Sequence, residues 1–99
     1  MPDPLTLSSQ ELNHLIEIRH DLHAHPELGY EETRTSEVVC RELADAGIEF
    51  RAGLAGGTGI LAWIPGRDTN DAVALRADMD ALPIEETSGV PWSSKNPGC

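Results

Sequence analysis

Leu12, Leu15, Ile16, Arg19 and Leu22 recur at helical spacing, with polar residues on the opposite side. Just upstream, Ser8 and Glu11 stand three apart, the spacing of a capping box, so a helix is predicted from Ser8 to about His23. Pro26 disfavours the helical conformation at His25 and ends it. After the compact turn 25–30, a second helix is predicted from about Glu31. It would carry acids in its first turn, where the helix dipole favours them, and would face Val39, Leu43 and Ala46 inward. Gly47 suits the position just past its end.

The period then changes from 3.6 to two. Ile48, Phe50 and Ala52 alternate with Glu49 and Arg51, which predicts a strand with one wetter face. A glycine cluster, Gly53-Leu-Ala-Gly-Gly-Thr-Gly59, leads into the strand-like Ile60-Leu-Ala-Trp-Ile64. A phosphate loop would instead open a helix and carry a Lys, so the cluster reads as a hairpin or bulged turn. Residues 65–71 form another turn, and residues 72–77 read as a third, buried strand. The predicted class is α/β: two N-terminal helices, then three strands joined by short turns with at least partly antiparallel pairing. Residues 1–7 read as a loose leader and 8–99 as one continuous piece of a domain, without repeats or low-complexity tracts.

At 99 residues the chain is short for an α/β enzyme, and residues 93–99 are turn-forming sequence, which suggests part of a larger protein. Three strands without the rest of a sheet leave edges open, so in isolation the chain is expected to be marginally stable or to associate. Seven Lys and Arg against 17 Asp and Glu give a formal net charge of -10, with no basic stripe for a phosphate backbone. Nucleic acid is therefore not an expected partner, and the acidity reads as solubility. Cys40 and Cys99 form no Cys-x-x-Cys pair and no disulfide framework, which fits a reducing cytoplasm. No apolar run approaches the roughly 18 residues of a membrane helix, and the first residues lack the order of a signal peptide.

The third predicted strand ends at Asp78 and Asp80. Ligands of open α/β sheets bind beyond the carboxyl ends of strands, so these two acids mark a candidate functional rim. In an extended segment alternate side chains share a face, and both carboxylates could serve one cation site or tune each other. They could equally cap local N–H groups of a turn. Strand-Asp-x-Asp also resembles the opening motif of haloacid-dehalogenase-like phosphatases, with Asp78 as nucleophile. Leu82, where that motif carries Thr or Val, departs from it. His20, His23 and His25 form a cluster better read as surface or hydrogen-bonded residues shaping the helix-to-turn corner than as metal ligands, which need a third donor and supporting partners. Cys40 reads as a small core residue, Cys99 as a candidate thiolate, and Glu85 and Glu86 as part of a solvated turn.

Three stretches taken together resemble one family. They are Ile18-Arg-His-Asp-Leu-His-Ala-His-Pro-Glu-Leu-Gly-Tyr-Glu-Glu-Thr33, the Gly56-Gly-Thr-Gly59 turn, and Leu75-Arg-Ala-Asp-Met-Asp-Ala-Leu-Pro83 with Gly89-Val-Pro and Asn96-Pro-Gly. In this order they resemble the amino-terminal part of the metal-dependent amidohydrolases that include hippurate hydrolase, N-acyl-amino-acid amidohydrolase and indole-acetyl-amino-acid hydrolase, within the aminoacylase and glutamate-carboxypeptidase group. The resemblance implies the start of a zinc-peptidase-like three-layer catalytic domain, incomplete in this chain. It implies a parent enzyme that cleaves the amide of N-acyl amino acids or small peptides with two divalent ions (zinc, manganese, cobalt or nickel), and that forms a homo-oligomer.

By the same resemblance Asp80 matches the Asp of a Gly-His-x-Asp-Thr-Val-Pro-like motif and supports the metal site. Asp78 stands at its rim, where other branches carry a His. The family's ligands lie in a later Met-His-Ala-Cys-Gly-His-Asp motif, a Glu pair and further histidines that this sequence does not contain. Cys99 falls on the variable place before that motif. No metal is therefore expected on this chain alone, which is expected to be inactive. The alternatives are the phosphatase and a small acidic module that binds a protein partner without catalysis.

Overall fold

The structure, a computed structural model, describes residues 6–68 and 70–99. Most of the predicted leader therefore lies outside the described residues. Two compact units are present: one joins the residues up to Pro26 with Ile84–Cys99, the other is Glu27–Pro83.

In the first unit, α1 (Ser9–Ala24) begins where the capping box places it. The Glu11 N–H donates to Ser8 Oγ and the Ser8 N–H to Glu11 Oε1, both at 3.1 Å, so two otherwise orphaned donors are satisfied reciprocally. These two bonds hold the Glu11 carboxyl below its usual range. Ala24 is buried, whereas Leu12, Leu15 and Ile16 remain exposed, so the predicted apolar stripe is only partly covered.

In the second unit, α2 spans Thr33–Asp45, two residues later than the pattern suggested. Glu31 and Glu32 therefore precede the helix, and its first turn holds no acid. Val38 is the buried apolar residue, Val39 and Leu43 are half-buried, and Ala46 is exposed, which rotates the inward face from the predicted one. The end is as expected. Gly47 takes φ +70°, its N–H donates to Ala44 O, and the Ile48 N–H donates to Leu43 O. That pair of bonds is the Schellman arrangement, which needs a left-handed residue at this position.

The strands β1 (Glu49–Leu54) and β2 (Gly59–Trp63) pair antiparallel as a hairpin, and α2 lies against both. Glu49 opposes Trp63, whose indole N–H donates to Glu49 Oε2 at 2.8 Å. Between the Arg51–Leu61 and Leu54–Gly59 pairs β1 carries one extra residue, a bulge accommodated by Gly53 at φ +75°. The glycine cluster is thus a bulged hairpin turn.

The third predicted strand is not formed. Residues 72–77 pair with no strand among the described residues, and Val73 and Leu75 are 93% and 97% exposed. A strand exists only by bonding to a neighbour, and the two-stranded hairpin does not extend to this segment. The architecture is α/β with two strands rather than three.

Gly47→Ala tests the helix end. An added Cβ would meet nothing within 4 Å, so its cost is purely conformational. Opening of α2 should become easier by about 1 kcal/mol, the penalty for an L-residue in left-handed backbone, read from amide exchange at 43–48. Gly47→Asn should lose less.

Candidate functional site

Within Glu27–Pro83 the turn after α1 folds back on the start of α2. Glu32, the residue preceding that helix, makes no side-chain cap. The cap comes from Glu27. One of its carboxylate oxygens accepts from the Arg34 N–H at 3.0 Å, and the other from the Thr35 N–H at 2.6 Å and the Thr35 hydroxyl at 2.7 Å. A carboxylate on two orphaned N–H groups at the positive end of a helix satisfies both hydrogen bonding and the dipole. Burial pushes the Glu27 carboxyl up, but the Thr35 hydroxyl, the two N–H groups and the Arg34 charge more than offset it, so the net shift is downward. Sequence reading missed this residue. Its signal is an acid shortly before a helix whose own N-cap position lacks Ser, Thr, Asp or Asn.

The same turn holds the candidate rim. The Ala81 N–H donates to Glu27 O at 2.8 Å, and Leu28 and Ala81 form an isolated parallel bridge. Asp80 is thereby set beside Gly29, where an added Cβ would lie 3.7 Å from Asp80 Oδ2. Tyr30, at φ +67°, places its ring near the hairpin turn, with Cδ1 3.6 Å from the position a Cβ on Gly56 would take. Three stretches distant in sequence, the 27–30 turn, the glycine hairpin and Asp80-Ala81, therefore meet in one unit. Asp78 does not join them as a second donor. It accepts from Arg76 at 3.0 Å, and both side chains are largely exposed. Among the described residues no group of three or more His, Cys, Asp or Glu side chains is placed to hold a metal ion.

The histidines are in the other unit, each with its own partner. His20 stacks on Trp92 with centroids 3.8 Å apart and planes at 7°. His23 Nε2 lies 2.9 Å from Glu86 Oε2, and His25 Nδ1 is 2.9 Å from Asp21 O. They shape the end of α1, as the sequence suggested. The Lys95 N–H donates to Ala24 O at 2.8 Å, and the Asn96 amide donates to Pro26 O at 2.7 Å.

Glu86 corrects the expectation of an ordinary solvated turn. Its side chain is 17% exposed and accepts from the Ser88 hydroxyl and from the Ser94 N–H at 2.6 Å, besides meeting His23. Glu85 likewise accepts from the Gly98 N–H. Cys40 and Cys99 are free and half-buried. Cys40 lines an open pocket of about 350 Å³ between α2 and the hairpin, with Ser36, Glu37 and Thr58.

No family model matches the chain. A Rhodococcus jostii protein provisionally named glutamate–cysteine ligase 2-3 is 50% identical over 84 residues, covering 85% of this chain but 10% of that protein. The N-acetyl-L-cysteine deacetylase of Bacillus subtilis is 46% identical over 96 residues, covering 97% of this chain and 23% of the deacetylase. Among solved structures, the YXEP protein of Bacillus subtilis, described as a dinuclear metal binding peptidase from the M20 family, superposes with a TM-score of 0.80 at 42% identity, covering 87% of this chain and 24% of that one. Over most of its length the chain is thus similar, in sequence and backbone, to part of an M20-family peptidase. It spans a quarter or less of the length of these relatives, and the ligase name belongs to a protein of which nine-tenths lies outside the match. These similarities favour the amidohydrolase resemblance of the Asp78-x-Asp80 stretch over the phosphatase one. No helix among the described residues is long and apolar enough to cross a membrane.

The hydrogen bond from the Ser88 hydroxyl, then those from His23 and the Ser94 N–H, hold the Glu86 carboxyl at about 2. A depressed folded value stabilises above the unfolded carboxylate value of roughly 4.3 and is lost as pH falls toward 2. In a Trp63→Phe background, Trp92 fluorescence should therefore change between about pH 4.5 and 2. Glu86→Gln should show the changed signal already at pH 6 to 7. A flat acid profile would contradict the assignment.

Proposed function

We propose that the protein carrying this chain hydrolyses the amide bond of N-acyl amino acids or small peptides with the help of two divalent metal ions. The supporting observation is the match in both sequence and backbone to a dinuclear metal binding peptidase. Two such ions, roughly 3.5–4 Å apart, polarise a carbonyl and lower the pKa of a bound water. Among the described residues no group of three or more His, Cys, Asp or Glu side chains is placed to hold them.

Residues 8–99 act as the first part of the catalytic domain, with Asp80 supporting the metal site and Asp78 at its rim. The zinc, manganese, cobalt or nickel ions are held by residues elsewhere in the longer protein. That protein works in the cytoplasm as a homo-oligomer, without nucleic-acid or membrane partners, and the 99-residue chain alone is inactive.

Two assays test this. The full-length protein should release free amino acid from N-acetyl amino acids, with activity lost to a chelator and restored by divalent metal. Asp80→Asn should lower kcat/KM by about 10- to 100-fold, the range for groups that orient metal ligands. The 99-residue chain should show no turnover with added zinc or manganese, and metal-dependent turnover would overturn its assignment as inactive.

A further inference from the structure

We infer that Glu27 is a positioning residue for Asp80, tying the placement of that carboxylate to the N-terminus of α2. This rests on the reading of Asp80 as a residue of the amidohydrolase site. Glu27 uses both of its oxygen-bearing groups, in different directions. Its carboxylate is held by the Arg34 and Thr35 N–H groups and by the Thr35 hydroxyl, at 2.6–3.0 Å. Its carbonyl accepts the Ala81 N–H at 2.8 Å, and the next residue, Leu28, forms the bridge to Ala81.

Asp80 precedes that bonded N–H directly. Residues 72–77 before it form no strand among the described residues, and the flanking Leu82 is exposed. The Glu27–Leu28 backbone is thus the ladder-type hold on Asp80, and it is itself immobilised by the side chain that caps the helix. Rotating Glu27 away from α2 would release the turn and with it the Ala81 bond. Gly29 beside Asp80 leaves the carboxylate room, since even an added Cβ would reach only ordinary contact at 3.7 Å.

The test compares Glu27→Ala, Glu27→Gln, Gly47→Ala and Asp80→Asn in the full-length protein. Hydrogen exchange read by mass spectrometry should rise in Glu27→Ala both in the first turn of α2 and at 78–83. In Gly47→Ala, which loosens the opposite end of the same helix, it should rise near 43–48 and stay unchanged at 78–83. Glu27→Gln keeps an acceptor oxygen and guards against a variant that does not fold; its rise at 78–83 should fall between wild type and Ala.

With an N-acetyl amino acid as substrate, Glu27→Ala should lower kcat about tenfold or more, with no further loss in an Asp80→Asn background. Unchanged exchange at 78–83 in the Glu27 variants, an equal rise there in Gly47→Ala, or multiplicative effects on kcat would each overturn the inference. If the wild-type protein hydrolyses no N-acyl amino acid, the functional reading fails and the exchange comparison alone decides the role of Glu27.

Discussion

The carboxylate of Glu27 on the open end of α2 is the interaction from which the Glu27–Pro83 unit is built. An α-helix begins with N–H groups that have no intrahelical partner, and Glu32, placed to cap them, does not. An acid reaching in from the preceding turn meets that need with both hydrogen bonds and charge, and is held below its ordinary pKa as a result. Between the Glu27 cap and α2 the chain makes a tight turn, in which Tyr30 takes left-handed backbone. Strain of this kind persists only where surrounding bonds fix it, and here the cap on one side and the Leu28–Ala81 bridge on the other do so.

Glu86 does the same work in the other unit. There too a carboxylate gathers donors from separate points of the chain, a histidine of α1, a nearby hydroxyl and a backbone N–H eight residues on. The segment 84–99 has no regular structure to satisfy its backbone, so bonds such as Lys95 N–H to Ala24 O and Asn96 to Pro26 O replace a ladder. The His20–Trp92 stack adds an apolar contact to this polar set. In an acidic chain, carboxylates at such junctions have a definite structural use, while most of the remaining acids are solvent-facing.

What the sequence disclosed follows the range of the interactions involved. The capping box of α1, the left-handed Gly47 and the glycine hairpin are decided within a few residues, and each stands where local rules put it. The M20 resemblance was legible because its stretches keep their order and intervals. The start of α2 was misplaced because acids before a helix and acids in its first turn look alike until the cap is known. Glu27 and Glu86 stayed hidden because they have partners as far as eight and sixty-three residues away, and nothing in periodicity encodes a bond across a turn.

Residues 72–77 separate what a sequence encodes from what a given chain can realise. Val73 and Leu75 carry the pattern of a buried strand yet are almost wholly exposed, and Leu61 and Ile64 on and beside the hairpin are open as well. Burial of this kind needs a neighbouring strand and a covering layer, and the chain spans about a quarter of the YXEP structure whose backbone it shares. Among the described residues this apolar pattern meets neither a neighbouring strand nor a covering layer. Ala81, after Asp80, shows the complementary case: it is bonded to Glu27 and bridged to Leu28 even though residues 72–77 form no strand among the described residues. A single bridge thus fixes the residue that follows Asp80 without any strand forming before it, so the two are decoupled in this structure.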